Sequence, residues 1–113
     1  MKPDIKTYLL SNDNEKFFGD GPYYLLLKIE EYGSLKAAAE SMGMAYSKAA
    51  RILHTAEEVL GYELTTKVIG GKKGGGSTIT EKGRELLDKY AQYKILCRKA
   101  NEEIFNQIFS KQQ

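Results

Sequence analysis

The stretch from Ser34 to Leu60, SLKAAAESMGMAYSKAARILHTAEEVL, constrains this chain more than any other. It reads as two helices broken by a tight turn at Gly43. Ser34 is placed to cap the first helix, its side-chain oxygen accepting from a free backbone N–H of the opening turn. Ala39 lies four residues before Gly43. A methyl-sized side chain there lets the two helices approach closely, and glycine tolerates the positive φ of the turn. Ala49, Ile52 and Leu53 give the second helix a buried face. A helix-turn-helix needs these features to present its second helix to a DNA major groove, so sequence-directed DNA binding is the leading reading.

A chain of 113 residues has room for one domain and one modest hydrophobic core. No apolar run approaches the ~20 residues of a membrane span, and the longest aliphatic run, Leu25-Leu26-Leu27, stops at Lys28. The opening MKPDIKTYLL lacks the apolar length and the cleavage site of a signal peptide. A single cysteine, Cys97, rules out an internal disulfide and fits a reducing, cytoplasmic setting.

The net charge of +2 is too small to argue for nucleic acid, but it is unevenly spread. Residues 1–33 carry four Lys/Arg against six Asp/Glu, residues 34–84 eight against five, and residues 85–113 five against four. The positive excess falls where the helix-turn-helix and the following basic loop lie, and phosphate contacts need such a local patch rather than a basic chain.

Around this unit, Ile5–Leu10 and Lys16–Phe18 flank the polar Ser11-Asn12-Asp13-Asn14, a pattern for a short β-hairpin or extended arm. Pro22 suits the first turn of a helix, and Tyr23 to Tyr32 place Leu25, Leu26, Ile29 and Tyr32 at core-face spacing. Gly33 closes that helix. After the helix-turn-helix ends near Gly61, the β-branched LTTKVI of Leu64 to Ile69 reads as a strand. Gly70–Gly76 is a glycine-rich basic loop, and Ser77-Thr78-Ile79 returns as the partner strand. Thr80 caps a last helix, with Glu81 near its positive end, that can run to about Phe109. Hairpin, three helices, hairpin and long helix is the order of a winged helix-turn-helix. The expected class is mainly α with a small β component: a DNA-binding unit over residues 1–83, its wing at about 64–79, and a C-terminal helix over 80–110.

With these residues assembled, the chain resembles the N-terminal DNA-binding domain of molybdate-responsive, ModE-type transcriptional regulators, kin of LysR-type domains. The resemblance rests on the Gly19–Gly21 turn, Glu31-Tyr32-Gly33-Ser34, Ala38-Ala39 and Gly43-Met44-Ala45-Tyr46. It continues through Gly70–Gly76 with Ser77 and Ile79-Thr80-x-x-Gly83-x-x-Leu86, covering roughly residues 5–93. It implies a dimeric transcriptional regulator. Ser47 and Ala50 stand where the family tends to have a basic residue and a Trp, which leaves room for a different target sequence. The family's separate molybdate-binding domains are not expected in this chain, and no molybdate site is carried over.

The candidate DNA-binding residues are Ser34, Lys36, Tyr46, Ser47, Lys48, Arg51, Lys72 and Lys73. Tyr46, Ser47, Lys48 and Arg51 occupy the first turns of the second helix, where base edges are read. Lys48 and Arg51 can donate to guanine or phosphate, and Ser47 can donate or accept. Tyr46 either reaches a phosphate or tucks into the core. Ser34 is a plain cap, a phosphate ligand, or both, and Lys36 follows it on the helix that crosses the backbone. Lys72 and Lys73 sit at the wing tip. A phosphate-cradling nucleotide loop is excluded there, because it needs Gly-Lys followed at once by Ser or Thr.

His54 is the only histidine, too few for a metal site with one cysteine, and reads as a partly buried residue of the second helix. Cys97 reads as a small apolar core residue. No catalytic constellation, cofactor or metal is indicated, and an enzyme is not expected. On the last helix, Leu86, Tyr90, Tyr93, Cys97, Ala100, Ile104 and Ile108 recur at spacings of four and three, close to a coiled-coil seam, with Phe105 beside them. These eight form the expected homodimer interface, which would set two recognition helices on successive grooves of an inverted repeat. The rival reading is a winged-helix protein-interaction module that no longer binds DNA specifically.

Overall fold

The computed structural model describes residues 1–68 and 76–109, ordered as strand β1 (Leu9–Leu10), strand β2 (Lys16–Phe18), helix α1 (Asp20–Tyr32), helix α2 (Leu35–Ser41), helix α3 (Tyr46–Leu60), strand β3 (Thr65–Val68), strand β4 (Gly76–Ile79) and helix α4 (Glu81–Phe109). The wing tip with Lys72 and Lys73 lies outside the described residues.

The N-terminal arm closes as a hairpin, with Leu9 opposite Phe18 and Leu10 opposite Lys16. Ser11 ties the turn: its hydroxyl accepts from the amides of Asp13 and Glu15 at 3.2 and 3.1 Å. Asn14 takes the left-handed conformation that asparagine tolerates better than most residues. The arm is then stapled to the far end of the sequence, because the Tyr90 hydroxyl donates to the Thr7 carbonyl at 2.8 Å.

Helix α1 starts at Asp20, three residues before the expected Tyr23, so Pro22 sits within the first turn where its missing N–H costs nothing. Leu25, Leu26 and Ile29 are buried as their spacing requires. Tyr32 is not a core residue: it is 49% exposed, with the Lys28 ammonium 5.8 Å from its ring centre. It occupies the last helical position, where the chain has already turned toward the left-handed Gly33.

The turn between α2 and α3 is built by hydrogen bonds converging on the end of α2. Ala39 O accepts from Met44 N at 2.9 Å and from Met42 N at 3.1 Å, and Gly43, at φ +63°, lets the chain reverse. Ala38, Ala39, Ala49 and Ala56 are all buried, and this alanine seam brings α2 and α3 into close contact. Phe18, Leu64, Leu87 and Tyr90 complete the core around Leu25, Leu26 and Ile29. The body therefore includes the opening turns of α4.

In the wing, β3 pairs antiparallel with β4 from Thr65–Ile79 to Val68–Gly76. Thr80 joins this ribbon to α4. Its hydroxyl donates to Glu63 O at 2.7 Å and accepts from Gly83 N at 2.9 Å, the expected cap. Gly83 is needed by contact rather than by φ: a Cβ there would fall 2.5 Å from Leu64 O. Helix α4 then leaves the body, and the molecule measures 64 × 29 × 24 Å.

Candidate nucleic-acid interface

Three elements are brought to one region by backbone contacts. Helix α3 is held against α2 through the alanine seam. Helix α2 begins at Ser34, whose Oγ accepts from Ala37 N at 3.0 Å, so the capping role is realised. The wing is fastened beside that cap, because Ser77 N donates to Gly33 O at 2.8 Å. The approach is so close that a Cβ on Gly76 would lie 2.9 Å from Gly33 O. The start of α2 and the wing strand β4 are thus adjacent by construction.

On α3, Tyr46, Ser47, Lys48 and Arg51 are all exposed, and Tyr46, at 58% exposure, is not tucked into the core. The buried face falls on Ala49 and Ala56, with Ile52 and Leu53 half-buried beside them. Lys36 is exposed in the first turn of α2, and Ser34 is half-buried under its own cap.

The cations divide by location. Lys28, Arg84, Lys89, Lys94 and Arg98 each meet a carboxylate. Lys94 is the most enclosed of these, at 2.7 Å from Asp20 and near the rings of Tyr23, Tyr24 and Tyr90. The Asp20 hydrogen bond holds its ammonium above the usual lysine range. By contrast, among the described residues, Lys36, Lys48, Arg51 and Lys67 of α2, α3 and β3 have no ion-pair partner within 4.0 Å, and neither do Lys2, Lys6, Lys16, Lys82 and Lys99 outside these elements. Exposed, unpaired cations on a helix-turn-helix can give their full charge to a phosphate without first breaking an internal pair.

Sequence reasoning missed two residues of this region. Lys67 is exposed on the wing strand; the signal was available, since the buried Leu64 marks the inward side of LTTKVI. His54 is not partly buried as expected. Its side chain is 70% exposed, with Nε2 at 3.5 Å from Glu58 Oε1, and it lies one turn beyond Arg51 on the outer side of α3.

Helix α4 sorts the remaining expectations. Tyr90 is 2% exposed within the body, edge-on to Phe18 at 5.1 Å between ring centres, so it is a core residue and not part of a free seam. Leu86 packs partly buried against the same core. Cys97 is half-buried on the helix and lies outside the core cluster, because the body ends near Tyr90. Beyond it, Tyr93, Ala100, Ile104 and Ile108 are exposed and Phe105 is half-buried, stacked on Phe109 at 5.0 Å. Leu96, 55% exposed, adjoins this stripe and was also missed. Among the described residues no group of three or more His, Cys, Asp and Glu side chains could hold a metal, and no helix is long and apolar enough to cross a membrane.

A helix-turn-helix with a two-stranded wing and a long C-terminal helix defines the class: the chain is a winged helix-turn-helix domain of LysR-like form. Among solved structures it is similar to ArgP from Mycobacterium tuberculosis, at 28% identity and a TM-score of 0.53, over 75% of this chain and 30% of that one. A LysR family transcriptional regulator shares the fold at 24% identity and a TM-score of 0.54, over 82% of this chain and 30% of that one. No protein-family model matches the chain.

Its sequence relatives include ModE proteins. It is 34% identical over 92 residues to a molybdenum transport protein ModE of Herbaspirillum seropedicae, covering 75% of this chain and 32% of that protein. It is 31% identical over 87 residues to the DNA-binding transcriptional dual regulator ModE of Escherichia coli, covering 76% and 33%. With a ModE of Azotobacter vinelandii the match is 27% over 99 residues, covering 88% and 37%. The chain spans about a third of the length of these curated relatives, and it is a homologue of the N-terminal domain of ModE-type regulators.

Proposed function

We propose that this chain is a cytoplasmic, homodimeric transcriptional regulator that binds double-stranded DNA at an inverted repeat. The observation that carries the reading is the outer side of α3, where Ser47, Lys48 and Arg51 are exposed, the two cations have no acidic partner, and Lys36 and the wing stand on neighbouring elements. Arg51, Lys48 and Ser47 read base edges, and Tyr46, Ser34 and Lys36 hold phosphates. Lys67 joins Lys72 and Lys73 in tracking the backbone from the wing. Phosphate contacts supply most of the affinity and its salt dependence. The exposed half of α4 pairs with a second copy through Tyr93, Leu96, Cys97, Ala100, Ile104, Phe105 and Ile108, and no reaction is assigned.

Selection from a random double-stranded DNA library, followed by titration of the winner across salt, tests this. An enriched inverted repeat whose affinity falls with salt is expected, and Arg51→Ala should weaken that complex by ~1–3 kcal/mol while leaving the fold intact. Absence of binding at low salt would instead favour a protein-interaction module.

A further inference from the structure

A cleft of about 270 Å³ opens between the N-terminal hairpin and the recognition helix. It is lined by Phe17, Pro22, Ile52 and Thr55, together with the buried Phe18 and Gly19. Lys16 enters from the hairpin and Arg51 from α3. Among the described residues no carboxylate side chain lines the cleft. Asp20, next in sequence to Gly19, is committed elsewhere, to Lys94 at 2.7 Å. The Lys16 ammonium is near the Tyr8 ring, 4.7 Å from its centre, and has no acidic partner among the described residues.

The half-buried Phe17, Pro22 and Ile52 make an apolar surface for a single flat ring, since aromatic side chains favour stacked or edge-on neighbours. Two cations with no counter-charge in the lining call for an anion. A guanidinium matches a planar carboxylate best, because its parallel N–H groups can donate to both oxygens. We propose that the cleft binds a small aromatic monocarboxylate, its ring against Phe17, Pro22 and Ile52 and its carboxylate toward Lys16 and Arg51.

The site has a consequence that rests on the DNA-binding reading. Arg51 cannot serve a ligand carboxylate and a DNA target together, so the bound acid competes with DNA. The two states are mutually exclusive through one side chain, and no rearrangement of the fold is required.

Benzoate is the probe. Titrated into the ¹⁵N-labelled full chain, it should shift the amides of Phe18, Gly19, Ile52 and Thr55 saturably. Neither benzyl alcohol, which keeps the ring without the charge, nor acetate, which keeps the charge without the ring, should saturate. Lys16→Gln and Arg51→Gln should each raise the benzoate dissociation constant roughly tenfold, as loss of a charge-assisted hydrogen bond does. Both are exposed side chains, and unchanged amide dispersion elsewhere confirms that the variants fold. Shifts that never saturate, that fall outside the cleft, or that both variants leave unchanged overturn the site. With selected DNA, saturating benzoate should lower affinity in the wild-type chain; an unchanged affinity overturns the competition. A chain that binds no DNA even without benzoate overturns the regulator reading instead, and the amide titration alone then decides the cleft.

Discussion

At the scale of single residues, Ser34 carries two roles that can be separated by charge. As a cap it accepts from Ala37 N, a task aspartate performs equally well, whereas alanine cannot. As a phosphate neighbour it must not be negative. Ser34→Ala should therefore cost about 1 kcal/mol of stability in urea denaturation. Ser34→Asp should keep that stability yet bind the selected DNA more weakly, most visibly at low salt. If Ser34→Asp binds as well as wild type, Ser34 is a cap and nothing more. Arg51 has the opposite character: it is exposed and unpaired, so its loss should be read in binding and not in folding. The histidine three residues later shows how a residue can be misjudged. His54 follows two half-buried aliphatic residues, Ile52 and Leu53, and the helical turn carries it outward beyond them.

At the scale of elements, a close backbone approach joins the base of the wing to α4. The first turn of α4 meets the end of the α3–β3 connection at Gly83, where a Cβ would stand 2.5 Å from Leu64 O, 3.0 Å from Ile79 Cγ2 and 3.1 Å from Thr80 Oγ1. Alanine is the better helix former by about 1 kcal/mol, so propensity alone favours Gly83→Ala. Overpacking works against it, typically by about 1–3 kcal/mol, and the obstructing atom is a backbone carbonyl that cannot swing away. A net loss of stability is expected, with a lower urea midpoint; a raised midpoint would show that α4 can move off Leu64 freely. The same junction explains why the wing is well placed at its base: Thr80 bonds to Glu63 and Gly83, and Ser77 bonds to Gly33.

At the scale of the whole molecule, the C-terminal half of α4 leaves a run of large apolar side chains exposed. Helix α4 carries Ile104 and Ile108 exposed well past the core, and Phe105 stacks on Phe109. Burying an aliphatic or aromatic side chain is worth about 1.5–3 kcal/mol. Ile104 is 54% exposed and Phe105 already half-buried, so in a symmetric dimer each of the four side chains contributes only part of that figure, and the cost of association is subtracted from their sum. Replacing Ile104 and Phe105 together by Ser should give a monomer in sedimentation equilibrium with an intact helix-turn-helix. A double variant that remains dimeric would place the contact elsewhere. Cys97 should report the same pairing by crosslinking if the two copies of the stripe face each other.

Much of this protein was legible along the chain because its decisive signals are local. A cap, a left-handed glycine, a small residue beside it and an apolar face of period 3.6 act within a few residues of one another. They set α2, the turn and α3 without reference to the rest of the molecule. The order of elements and the wing strands followed from the same short-range chemistry. What only the tertiary structure decided were contacts between distant segments. Tyr90 belongs to a helical stripe by spacing, but it is drawn into the core by Phe18 and by Thr7, 83 positions away. Lys16 and Arg51 line one cleft although nothing in their spacing relates them. Periodicity shows that a helix has an apolar side; which part of that side the domain itself covers depends on where the body ends, and that is set by packing.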